Sequence, residues 1–139
     1  MALHILKLCV GVDTVEQLET SQARRLREGV VELRHLTRHV PRRADEIVEG
    51  GSLYWIIKGF VQVRQRIVRI DRLEAPIDQK QCAFVFAPEL VRTELQARRP
   101  HQGWRYLETA DAPPDLPEAG ERGDLPPELM AELRNLGLL

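Results

Sequence analysis

Three stretches place cations beside aromatic rings or hydrogen-bonding side chains, a combination suited to holding an anionic ring compound. The first is "GGSLYWIIKGFVQVRQRIVRID", Gly50 to Asp71. Side chains alternate along an extended strand, so Gln62, Arg64 and Arg66 share one side, and Val61, Val63 and Ile67 share the apolar other. Arginine pairs phosphate with two parallel N–H bonds and glutamine reads a base edge. In the preceding "LYWIIK", Tyr54 and Trp55 have opposite parity. Trp55 is expected inward, with Tyr54 and Lys58 on the other side as the candidate functional pair. The second stretch, "RRPHQGWRYL", interleaves Arg98, Arg99 and Arg105 with Trp104, as a loop that stacks on a base while pairing phosphates would. The third, "HVPRRADE", sets Arg42 and Arg43 at a helix start, where free amides already favour an anion.

Each group has a plainer reading beside the functional one. The strand cations suit a solvated face with cross-strand ion pairs, Trp104 suits the bottom of a small core, and Asp45 and Glu46 can neutralise Arg42 and Arg43. The functional reading assigns anion binding to Arg42, Arg43, Lys58, Arg64, Arg66, Arg98, Arg99 and Arg105, and stacking to Tyr54 and Trp104.

The charge distribution strengthens the basic half of that pattern. The net charge of −1 over 139 residues conceals a polarised chain. Between Arg24 and Arg72 there are twelve Lys/Arg against six Asp/Glu, whereas Glu108 to Glu128 holds one Arg and seven acids. An anionic ligand meets the local field and not the total. With 43% hydrophobic and 29% charged residues, the composition is that of a globular protein with one core. The longest apolar runs, "LYWII" and "CAFVFA", fall far short of a membrane span. The N-terminal "MALHILKLCVGVD" lacks the layout of a secretory signal, which sets the expectation of a cytoplasmic protein. Cys9 and Cys82 are expected as reduced, buried thiols.

"LHILKLCV" alternates as a strand. "GVDTVEQLETSQARRLREG" is a helix, with Asp13 and Glu16 as a capping box, a stripe of Val15, Leu18, Gln22 and Leu26, and Gly29 as its exit. "VVELRHLTRHV" reads as a strand and "PRRADEIVEGG" as a short helix. Strands follow at Leu53–Lys58 and from Phe60 to about Leu73, with Gly59 at the bend. "APIDQKQ" reads as a turn, "CAFVFA" as a buried strand and "HQGWRYLE" as a last strand. "PELVRTELQARRP" fits either a helical turn or extended chain. The pattern implies an α+β fold: a small, curved, mostly antiparallel β-barrel with two flanking helices and a C-terminal helix. Residues 1–109 form the domain, 110–127 an acidic proline-rich linker, and 128–139 an amphipathic helix that packs on the body, on a partner or on a second copy.

Metal and nucleophile chemistry find little footing. His35 and His39 lie about 13 Å apart on a strand, and Cys9, Cys82, His4 and His101 lack ligand spacing. No metal and no cofactor is expected. Neither a nucleophile elbow nor a P-loop occurs. Acid–base work by Lys58, His101 or Glu46 stays open.

The segments "LHILKLCVGVD", "PRRADEIVEGGSLYWIIKGFVQVRQRI", "APELVRTELQARRPHQGWRYL" and "ADAPPDL" resemble a family of short bacterial proteins known only as a domain of unknown function. The resemblance covers about residues 3–116 and implies no activity, and the segment past Leu116 is expected to depart from it. The order of elements up to "LYWIIKG" and its long following strand is also similar to the PUA-like superfamily, with its ASCH and EVE branches. That likeness implies a curved barrel whose cleft binds RNA or a modified nucleotide, without a residue-by-residue match. Some ASCH-type members are hydrolases of modified nucleosides. The alternatives are therefore such a hydrolase, using Lys58 with a nearby acid, or an interaction protein working through its C-terminal helix.

Overall fold

A computed structural model of the chain describes residues 2–99 and 101–116. The elements run β1 (Leu3–Leu8), α1 (Val15–Arg27), β2 (Leu33–Thr37), α2 (Ala44–Val48), β3 (Ser52–Ile57), β4 (Phe60–Ile77), β5 (Lys80–Ala97) and β6 (Trp104–Glu108), then a 3-10 turn at Thr109–Asp111. The fold is α+β, with one six-stranded sheet in the order β2-β5-β4-β3-β1-β6. Among the described strands only β1 and β3 pair in parallel, as expected for strands joined by a long crossover.

Helix α1 starts one residue later than the expected capping box. Thr14 is the N-cap, its hydroxyl accepting from the Gln17 N–H at 3.1 Å, and the Gln17 Oε1 accepts from the Asp13 N–H at 2.7 Å. The Asp13 carboxylate instead faces Lys58 Nζ at 3.2 Å. Two long strands make up β4 and β5, meeting at a two-residue turn in which both Asp78 and Gln79 have positive φ. The ambiguous "PELVRTELQA" is thus extended throughout. Pro88 is tolerated because Ala87, Pro88 and Glu89 together stand opposite Arg66 alone, a bulge where no ladder N–H is demanded.

The whole of β3 is buried on both faces. On the helix-bearing face, Leu53, Trp55 and Ile57 join Leu3, Ile5, Val63, Ile67, Phe84 and Phe86, covered by Val15 and Leu18 of α1 and Ile47 of α2. On the other face, Tyr54 and Ile56 pack with Leu6, Val61 and Leu107. Val61 was expected beside Val63 and Ile67. It lies on the opposite face because the register shifts between Trp55 and Ile56 and between Val61 and Val63.

The expected closed barrel is not formed, since the hydrogen-bonded ladder ends at β2 and β6. Curvature is nevertheless strong. Phe84 of β5 and Trp104 of β6 are four strand steps apart, about 19 Å on a flat sheet, yet their rings stand 6.4 Å apart. Side chains of β6 reach the connection between β2 and α2: Trp104 Nε1 donates to His39 O at 3.1 Å, and the Arg43 N–H donates to the Tyr106 hydroxyl at 3.2 Å.

Of the segment expected as linker, residues 110–116 are described, and they pack. Ala112 adjoins the second core, and Asp115 bridges to Thr93 of β5. The rest of the linker, and the expected C-terminal helix at 128–139, lie outside the described residues.

Two glycines serve different ends. At Gly59, φ is +84° in the β3–β4 turn with open space around it, whereas a Cβ on Gly51 would overlap the Leu3 carbonyl and stand 2.6 Å from the Ile47 carbonyl. Gly51→Ala should therefore cost more than about 3 kcal/mol, against about 1–2 kcal/mol for Gly59→Ala from backbone strain alone. Urea midpoints of the two variants check that order.

Candidate functional site

The cations named from sequence do not share one surface. Arg43 pairs with Glu46 at 2.6 Å and Glu108 at 3.2 Å and lies over the Tyr106 ring, so Glu46 neutralises it as the plainer reading held. Arg98 bonds Gln96 Oε1 at 2.9 Å, and its backbone N–H donates to Gly59 O. Arg42, Arg99 and Arg105 are exposed and make no ion pair among the described residues. Lys58 is not on the strand with Tyr54. It occupies the β3–β4 turn at φ +52°, with its ammonium beside Asp13.

Arg64 and Arg66 do lie on one side of β4, over the second core, but both are engaged internally. Arg64 grips the Asp115 carboxylate with two 2.7 Å bonds and reaches Ser52 Oγ at 3.1 Å. Arg66 donates to Val48 O at 2.6 Å and Gly51 O at 2.8 Å, closing the end of α2. Beneath them, His4 Nδ1 accepts from the Ser52 N–H at 3.0 Å, which leaves Nε2 to donate to Thr109 Oγ1 at 3.2 Å. Burial first, then the Arg64 and Arg66 charges, hold the His4 pKa below its ordinary value. Tyr54 is buried with its ring against His4 at 5.0 Å. Trp104 packs against the first core, between Phe84 and Tyr106. Both rings named for stacking thus serve packing.

The open concavity lies on the helix-bearing face instead. A cavity of about 280 Å³ sits between α1, the β1–α1 loop and the sheet, lined by Cys9, Gln22, Arg25, Arg34, His35, Trp55 and Phe86 among others. No carboxylate lines it among the described residues. The sheet register explains its aromatic wall: one cross-strand row runs Trp104, Lys7, Trp55, Val63, Arg92 across β6, β1, β3, β4 and β5. At the far end of the row, Arg92 bonds Glu16 and Glu19 at 2.9 Å each and fastens α1 over the sheet. From β2, His35 meets Trp55 edge to face at 5.6 Å, and Phe86 meets it at 5.8 Å.

The electrostatics of the cavity are one-sided. The His35 pKa is lowered to about 4, by burial first and then by the charges of Lys7, Lys80 and Arg25. Lys7 is itself lowered by burial and by Lys80. Burial pushes the Cys9 thiol up to about 11, so at neutral pH it is a protonated wall residue and a poor nucleophile. The site offers a neutral imidazole and aromatic edges inside, with cations around them.

Residues 5–139 match the model of a family described as a protein of unknown function, DUF1489. The chain belongs to that family. The match runs past Leu116, so the C-terminal segment, expected to depart from the family, is part of it. No curated protein and no solved structure matches the chain.

Sequence reasoning passed over Lys7, Arg25, Arg34, His35 and Lys80 as site residues, because they come from four separate elements. One signal was available. Gln22 sits on the apolar stripe of α1 and Gln65 on the apolar side of β4, and glutamine on two facing apolar surfaces implies a buried amide pair. The structure contains that pair.

The His35 environment fixes a pH dependence. In the unfolded chain the imidazole titrates near 6.5, and in the folded state near 4. Between those values the unfolded state binds more protons, so stability present above about pH 6.5 is lost as pH falls toward 4. His35→Phe should remove on the order of 2 kcal/mol of that acid sensitivity, leaving the share from His4. Denaturant unfolding at pH 7 and pH 4.5, compared for the two proteins, measures it.

Proposed function

We propose that this protein binds a nucleotide, free or as an exposed unit of RNA, in the cavity beneath α1. The observation that carries the reading is a cavity lined by Arg25 and walled by Trp55, His35 and Phe86, with no carboxylate among its described lining residues and with Lys7 and Lys80 near enough to act on His35. A volume of about 280 Å³ suits one ring system, lying just under the usual small-molecule range. The base enters against the aromatic edges, and its phosphate stays at the rim with the exposed Arg25. The half-buried Lys7 and Lys80 add to the attracting field. Arg42, Arg99 and Arg105 supply longer-range attraction for an RNA chain, whereas Arg64 and Arg66 are committed to Asp115 and to α2.

Little supports a hydrolase. Lys58 lies outside the cavity lining, beside Asp13, and the Cys9 thiol stays protonated.

Nucleoside monophosphates and short RNA oligomers, titrated with tryptophan fluorescence at 50 mM and 300 mM salt, test the reading. Binding should weaken steeply with salt. The variant Arg25→Ala should weaken it about tenfold with folding intact, as loss of one charge-assisted contact implies. Absence of binding at low salt, or affinity indifferent to both changes, would sink the proposal.

A further inference from the structure

A buried amide with its hydrogen-bonding direction settled can act as a fixed reader, and Gln22 meets that condition. The direction is set by Trp55, whose indole nitrogen can only donate. Trp55 Nε1 donates to Gln65 Oε1 at 3.3 Å. Gln65 Nε2 therefore faces the other way, donating to Ala87 O at 3.0 Å and to Gln22 Oε1 at 2.8 Å. Gln22 Nε2 completes the ring by donating to Gln65 Oε1 at 3.0 Å. Reversing either amide would set donor against donor and acceptor against acceptor. Gln65 is fully buried and its four bonds leave nothing unpaired. Gln22 differs: its second Nε2 hydrogen has no partner among the described residues, and the residue lines the cavity.

We infer that Gln22 is the specificity-determining residue of this cavity, presenting a fixed N–H that accepts bases carrying a ring carbonyl and rejects their amino counterparts. The inference rests on the nucleotide reading above and names the substrate class within it: 6-oxopurines and 4-oxopyrimidines. An exocyclic amine at the same position would meet the Gln22 N–H donor to donor. Sites that hydrogen-bond a ligand group discriminate strongly because a mismatched partner leaves a buried polar atom unpaired. Gln65 acts as a positioning residue, since without it the Gln22 amide can rotate.

Two near-isosteric pairs decide the matter: inosine against adenosine 5′-monophosphate, and uridine against cytidine 5′-monophosphate. Their dissociation constants are measured on the full chain by calorimetry. The oxo member of each pair should bind about tenfold more tightly, the value of one satisfied bond over one unmet donor. Gln22→Met keeps the length of the side chain and should bring both ratios close to one while preserving the phosphate-driven share of binding. Gln65→Met should lower the ratios without removing the donor itself. Binding of all four nucleotides by the unaltered protein with ratios near one overturns the role of Gln22 and leaves the nucleotide reading standing. Ratios that survive Gln22→Met unchanged do the same. If none of the four binds, the nucleotide reading falls and the inference falls with it. The comparison on the unaltered protein is decisive even if a variant fails to fold.

Discussion

A strand with water on neither face has to be covered twice, and the covering of Ser52–Ile57 governs the rest of the molecule. All six of its residues are buried. On one side Trp55 and its neighbours require α1 and α2 as a roof. On the other, Tyr54 and Ile56 are shut in by Val61, Leu107 and the segment through Ala112. A flat six-stranded sheet with two short helices has too little roof for both tasks. The sheet therefore curls until Phe84 and Trp104 touch, and the register shifts beside Ile56 and Val61 carry part of that bend.

Burying polar groups inside such a core is costly unless each is paired. The chain meets that condition at two places. His4 on the second face is satisfied by Ser52 and Thr109, and Gln65 on the first by Trp55, Gln22 and Ala87. Both networks link residues distant in the chain, so each ties an element to the sheet as well as satisfying itself. The Gln22–Gln65 pair anchors α1 from below while Arg92 holds it from the side through Glu16 and Glu19. A cavity is left where the β1–α1 loop leaves the sheet, its walls fixed by these same contacts.

The cations divide by the same logic. Those on the second face have partners: Asp115, from the acidic segment that follows β6, lies on Arg64, and Arg66 closes α2. Those around the cavity face no carboxylate among its described lining residues, and they add to burial in lowering the His35 pKa. Two arginine-bearing surfaces that look alike in sequence thus differ in what they have left to offer a ligand.

Much of the frame was legible from residue pattern. The period-two alternation around Val63 and Ile67, the apolar stripe of α1, the glycine turn at Gly59 and the opposed directions of Tyr54 and Trp55 are local consequences of backbone geometry, and each can be read without knowing the fold. The site was not legible in that way. Lys58 reads as a strand neighbour of Tyr54 until the turn rotates it away, and Arg64 reads as free until Asp115, 51 residues later, lies across it. Lys7, Arg25, His35 and Lys80 gain meaning only when the curled sheet brings β1, α1, β2 and β5 around one cavity. By itself the sequence determined the alternation along each strand and the stripe of α1, because side-chain periodicity acts over a few residues. Only the tertiary structure decided which cations keep company with carboxylates and which with a cavity, because charges pair through space and the chain's own bends set that distance.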